Sequence, residues 1–206
     1  MAYPTVSAPY GLKPINRLDG LPYAGAIRQI PIASTLATAI YNGQPVNIVQ
    51  GGTIAASPVT DSNAALANAV SGVFVGCAYT NSSGQPVEAQ YYPGNAAATN
   101  AVAYVVDDPN AVFKVAVTAA NSAMSTTTEA AVGTNVAYIQ GTPSSITGDA
   151  GGSILAPSAS AGNAGTLPFR VIAVVPDTNV TATTFSEVIV KINVAQYNTA
   201  ASLDFA

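Results

Sequence analysis

A chain of 206 residues, 49% hydrophobic and only 8% charged, has room for one domain with an appended arm. Six basic and ten acidic residues give a net charge of −4, too few cations to neutralise a run of phosphates, which argues against general nucleic-acid binding. With no His and a single Cys, a Ser-His-Asp triad, a His metal site, an intrachain disulfide framework and a thiolate zinc cluster are all excluded.

Residues 1–26 read as an extended N-terminal arm and residues 27–206 as a single β-rich body. Pro4, Pro9, Pro14 and Pro22 each fix φ and remove a backbone donor, a density that neither a helix interior nor a central strand tolerates. Between them stand Tyr3, Tyr10, Leu12, Ile15, Leu18, Leu21 and Tyr23, with Arg17 among them. A disordered linker carries fewer large apolar side chains. These eight are the candidate partner-binding residues of an apolar strap that seeks a groove, on its own body or on a neighbouring subunit. The start lacks the basic and apolar regions of a secretory signal, and no run approaches the roughly 18 apolar residues of a membrane helix. Folding in a cytoplasm without disulfides is the expectation.

Along the body, residues 26–32, 36–41 and 45–49 are short strand candidates. Tyr41-Asn42-Gly43-Gln44 carries the Asn-Gly pair of a type I′ hairpin turn. Asp61 or Ser62 is placed to cap a short helix over Asn63–Val70. Val73, Val75, Cys77 and Tyr79 alternate as a strand, and Ser82-Ser83-Gly84 turns it toward a candidate at 86–92. Val102, Tyr104 and Val106 mark the next strand; Asp107-Asp108-Pro109-Asn110 turns it at short range into the one bearing Phe113, Val115 and Val117. Residues 119–131 mix helix-forming Ala and Met with three consecutive Thr and stay ambiguous. Residues 134–140 are a short strand candidate, and the Gly-, Ser- and Ala-rich stretch 141–166 reads as a long surface excursion. Phe169 to Val175, apolar on both faces apart from Arg170, reads as an inner strand. After a turn at Pro176-Asp177-Thr178-Asn179, Val188, Val190, Ile192 and Val194 line one face of a half-buried strand. The predicted fold is mainly β: an antiparallel β-barrel or sandwich body with an extended N-terminal arm and little helix.

Few residues suggest chemistry. Asp107 and Asp108 are the only adjacent acids; their Val-Val-Asp-Asp-Pro-Asn setting favours turn initiation over acid–base catalysis or cation binding. Cys77 ends an apolar run with no His to activate it and reads as a small buried hydrophobe. Gly51-Gly52-Thr53 and the Gly148–Gly152 segment lack a phosphate-loop Lys or a dinucleotide fingerprint and read as loops. Tyr91-Tyr92-Pro93 has no basic groove beside it and reads as packing. The sequons at Asn81 and Asn179 read as turn chemistry. No catalytic, cofactor-binding or metal-binding residue emerges, and no cofactor or small-molecule substrate is expected.

A surface this thin in charge suits burial against other subunits. The segment Ala8–Ile32, together with Ile40–Val46, Gly72–Tyr79, Gln90–Gly94 and Val102–Val115, resembles small virion proteins of tailed double-stranded-DNA bacteriophages, in particular marine and cyanobacterial ones. Leu167–Ile172 is more loosely similar. The resemblance is to head-decoration (cement) proteins. It implies a β-barrel-like body, homotrimeric in the usual case, bound outside the shell of the major capsid protein, with no active site, nucleic acid or membrane involved. Another virion part, such as a minor capsid or tail protein, fits the same β-rich physics and stays open as the alternative; an enzyme working through scattered acids fits it less well.

Overall fold

The computed structural model describes residues 8–23, 27–57, 70–119, 124–156, 165, 167–178, 186–193 and 195. In chain order the strands are β1 (Lys13–Arg17), β2 (Arg28–Pro31), β3 (Ile40–Tyr41), β4 (Pro45–Val49), β5 (Thr53–Ala56), β6 (Gly72–Asn81), β7 (Pro86–Ala89), β8 (Tyr91–Tyr92), β9 (Ala98–Val106), β10 (Ala111–Thr118), β11 (Asn135–Val136), β12 (Tyr138–Ile139), β13 (Ser153–Leu155), β14 (Phe169–Val174) and β15 (Glu187–Ile192). Helical geometry among the described residues is limited to two 3-10 turns, Glu129–Ala131 and Pro176–Thr178. The fold is mainly β, its sheets forming a nearly closed, barrel-like body.

Two long strands organise it, each with one full-length neighbour and a second edge shared by two short ones. β10 pairs antiparallel with β15 along one edge; its other edge takes β1 over Ala111–Lys114 and then β13, in parallel, at Val117 and Thr118. β6 pairs antiparallel with β9, and its second edge takes β4 at Gly72 and Val73 and then β7 from Cys77 to Thr80. The seven-stranded sheet runs β11-β14-β15-β10-β13-β12 with β1 beside β10; the six-stranded sheet runs β2-β9-β6-β4-β5 with β7 beside β6. β3 and β8 form a separate pair.

The buried apolar side chains fall into two main clusters, the larger one shared between the sheets. Leu12, Val70, Val73, Val106, Phe113 and Phe169 belong to the larger one, and Ile30, Ile40, Val46, Phe74, Cys77 and Tyr92 to the smaller. β6 serves both, sending Val73 one way and Phe74 and Cys77 the other, across a register shift between Phe74 and Gly76. Burying this branched and aromatic surface is the main force holding the sheets together.

The outcome differs from the sequence reading at several places, each for a tertiary reason. The Asn42-Gly43 turn is not a type I′ hairpin. Gly43 has φ +85° while Asn42 stays at negative φ, and the flanking strands leave for different partners, β3 for β8 and β4 for β5 and β6. The tight hairpin lies instead at Gln50-Gly51-Gly52, joining β4 to β5, where Gly51 and Gly52 both take positive φ. Asp107–Asn110 is not a hairpin turn either: it carries the chain from β9 in one sheet to β10 in the other. In β9 the small residues Ala101 and Ala103 face inward and Val102 and Tyr104 outward, because Tyr92 and Phe74 already fill the core there. The described part of 141–166 is no surface excursion throughout. Ala150, Ile154, Leu155 and Ala156 are buried, and β13 is inserted between β10 and β12. Of the proposed helix, residues 63–69 lie outside the described residues, as do 120–123, Asn179 and Val194.

Candidate interaction surface

The N-terminal segment is locked to the body before it reaches the surface. Gly11 N–H donates to the Gly152 carbonyl at 2.7 Å and Leu12 N–H to that of Gly43 at 2.9 Å. Gly11 and Gly43 pass so close that a Cβ on Gly43 would stand 2.8 Å from Leu12 N, and both adopt positive φ. The Leu12 side chain is at 0% exposure in the larger core. Tyr10 donates its hydroxyl to Glu187 Oε1 at 2.5 Å, and Lys114 Nζ reaches the same carboxylate at 3.2 Å, so this buried acid is neutralised and hydrogen-bonded. The proline density is tolerated because β1 is an edge strand: Pro14 sits where one side of the backbone needs no donor, beside a register shift.

Beyond β1 the chain folds into a braced turn. Arg17 N–H donates to the Leu21 carbonyl at 2.8 Å, Gly20 N–H to that of Arg17, and Leu21 N–H to Asp19 Oδ1. Leu18 N–H donates to the Asn110 carbonyl at 2.8 Å, tying the turn to the crossing between the sheets. Asp107 and Asp108 do structural work at that crossing. Asp108 Oδ1 accepts from Asn110 N–H, its Oδ2 lies 3.2 Å from Arg17 Nε, and Asp107 Oδ2 lies 2.9 Å from Arg28 Nε. The adjacent acids thus initiate a turn and grip two arginines.

The eight residues singled out in the arm separate into distinct roles. Tyr3 lies outside the described residues. Leu12 is core and cannot meet a partner; Tyr10 is committed to Glu187; Ile15 is half-buried; Tyr23 packs against the larger core; Arg17 braces the turn. Leu18 and Leu21 remain outward, at 49% and 56% exposure. Ile27, at 45%, is a further exposed side chain that the sequence reading passed over. Among the described residues these three are most of the large exposed hydrophobics; Val132 and Ile146 are the others.

Beside this segment an open groove of about 770 Å³ runs between the two sheets, with Tyr23, Ile27, Gln29, Glu88 and Tyr104 on its walls and Lys13 and Asn42 at one side. Of its polar groups, Tyr104 donates to Glu88, and Lys13 donates to Asn42 and to Asp149 beyond the groove wall. Among the described residues no three acids or Cys converge on a possible cation, and no helix is long and apolar enough to cross a membrane. Cys77 is buried, donates weakly to the Tyr91 carbonyl, and has its thiol pushed up to about 12 by burial, which leaves it a poor nucleophile. The convergence of Lys13, Asn42 and Asp149 left no trace in the sequence, since neither spacing nor motif links positions so far apart.

Comparison with protein-family models, with curated proteins and with solved structures finds no match to this chain.

Proposed function

We propose that this chain is a structural virion protein, a head-decoration protein that seats on the outside of a major capsid-protein lattice and cements it. The observation that carries the reading is the braced turn at Arg17–Leu21, which holds Leu18 and Leu21 half-exposed on a surface that is otherwise thin in charge. A rigid apolar tip loses little conformational entropy on docking, so its burial adds to affinity instead of being spent on ordering. The resemblance of the N-terminal segment to cement proteins supports the same reading. Self-association into a trimer belongs to the proposal, because repeated modest contacts around a shell sum to strong attachment.

The test is binding to empty capsid shells. Removing the whole arm would strip Leu12 from the core and confuse loss of binding with loss of fold. The double variant Leu18→Ser/Leu21→Ser leaves the core untouched. Burying the exposed halves of two leucines is worth about 2 kcal/mol, so each contact should weaken by roughly 30-fold. Unchanged binding by a folded double variant would overturn the assignment of this turn. Labelling of intact particles separates a decoration protein, present on every capsomer, from a tail component.

A further inference from the structure

We propose that Lys13, Asn42 and Asp149 form a self-modifying site that joins the Lys13 side chain to that of Asn42 through an intramolecular amide bond. Three separate elements bring them together: β1 supplies Lys13, the Tyr41–Gln44 turn supplies Asn42, and the loop before β13 supplies Asp149. Lys13 Nζ stands 3.0 Å from Asn42 Oδ1 and 2.5 Å from Asp149 Oδ1. Asn42 and Asp149 face each other on one parallel bridge, with Asn42 N–H donating to the Gly148 carbonyl and Ala150 N–H to that of Asn42, both at 2.9 Å. The carboxamide is fixed at its other end as well, where Nδ2 donates to the Val75 carbonyl at 2.8 Å. The amide therefore presents its oxygen to the amine and its nitrogen to the opposite side, with little freedom to turn away. Lys13 and Asp149 are each about one-third exposed, at 34% and 31%, so both groups are partly withdrawn from water.

An amine and a carboxamide do not condense at a useful rate when free in water; holding them in contact supplies effective molarities on the order of 10⁵ M or more. Here the acid beside the amine supplies the proton traffic. Asp149 takes a proton from the Lys13 ammonium, and the freed Nζ lone pair attacks Asn42 Cγ to form the new C–N bond. As the tetrahedral centre collapses, the proton held by Asp149 passes to the original amide nitrogen and the old C–N bond breaks. The second proton that Nζ must shed to become a secondary amide is taken by the freed Asp149 carboxylate and released to water. Ammonia leaves, Oδ1 stays as the new carbonyl oxygen, and no oxidant or reductant takes part. The competing attack on the same carbon, by the backbone nitrogen of Gly43, is held back because Gly43 N–H already donates to the Phe74 carbonyl at 2.8 Å. The bond would staple β1, an edge strand whose strand partner among the described residues is β10, to the turn that enters β4.

The intact mass of the purified chain tests this independently of any capsid role. The wild type should weigh less than its sequence by one ammonia, and peptide mapping should find the segment carrying Lys13 joined to the one carrying Asn42. Lys13→Arg keeps the positive charge beside Asp149 but has no amine able to form this link, and should show the full sequence mass while remaining folded by circular dichroism. Asp149→Asn should lose the link as well. A wild-type chain at full mass after prolonged incubation at neutral pH overturns the proposal. So does an ammonia loss that survives in Lys13→Arg, which would mark a succinimide at Asn42-Gly43, or a link that forms unchanged in Asp149→Asn.

Discussion

Gly152 and Tyr138 fit so closely that a Cβ on Gly152 would stand 1.7 Å from the Tyr138 hydroxyl oxygen and 2.3 Å from Cζ. Tyr138 cannot move aside: it is fully buried, tilted on Phe169 with ring centroids 6.2 Å apart, and donates its hydroxyl to Gln140. The Gly152 carbonyl in turn receives Gly11 N–H, so one glycine couples β12, β13 and the N-terminal segment. Gly152→Ala should cost about 3 kcal/mol, lowering the melting temperature by roughly 10 °C. Adding Tyr138→Leu should recover part of that loss, a coupling that a double-mutant cycle by chemical denaturation would read. Additive losses would mean the clash is relieved elsewhere.

Leu12 and Leu18 lie six positions apart in one segment but should behave as opposites. Leu12→Ala removes a fully buried side chain and should cost about 2–5 kcal/mol in denaturant unfolding. Leu18→Ser replaces a half-exposed one and should leave stability within about 0.5 kcal/mol while weakening attachment to shells.

Tyr10 and Lys114 flank the buried Glu187 carboxylate from β1's approach and from β10. Tyr10→Phe keeps the ring and deletes one donor to that carboxylate, and should cost about 1–3 kcal/mol. Limited proteolysis should then cut near residue 10 faster than in the wild type, since this hydrogen bond fastens the start of the segment to β15.

Alkali should unfold the protein. Burial raises the Cys77 thiol from 9.0 to about 12 and raises the phenols of Tyr10 and Tyr138 above their ordinary 10.0, with the Glu187 hydrogen bond and charge adding to the shift at Tyr10. In each case the folded chain holds its proton more tightly than the unfolded one. The associated stability is therefore fully present below about pH 9 and drains away as pH rises from there through the folded values. Each group contributes up to about 1.4 kcal/mol per pH unit in that range. Denaturant midpoints should be flat with respect to these groups from pH 7 to about 9 and fall beyond it, less steeply in Cys77→Ala. The thiol should resist alkylation at pH 8 until denaturant is added.

The alternation of β-branched and aromatic residues in β10 and β15, and the apolar run of β14 broken only by Arg170, are plain enough along the chain to fix strand type. The same holds for Asn81, whose Oδ1 accepts from Ser83 and Gln85 N–H in the hairpin between β6 and β7. These are local signals: apolar patterning and side-chain-to-backbone turns depend on neighbours in the chain. The scarcity of charge and the absence of His likewise bound the chemistry through composition alone.

Partner choice was decided elsewhere. Whether Asn42-Gly43 closes a hairpin or bridges two sheets depends on Leu12 and Phe74, whose backbones meet Gly43 from distant parts of the chain. Which face of β9 turns inward depends on how much of the core Tyr92 and Phe74 have filled. The Gly- and Ala-rich loop joined the core because β1 leaves the last rungs of β10 open, and Ile154 and Leu155 pair there. The division between Leu12 in the core and Leu18 and Leu21 at the surface has the same origin. A strand's hydrogen bonds and a core's volume are satisfied by whatever residue reaches them first in space, and that order is a property of the packed chain, not of any window along it.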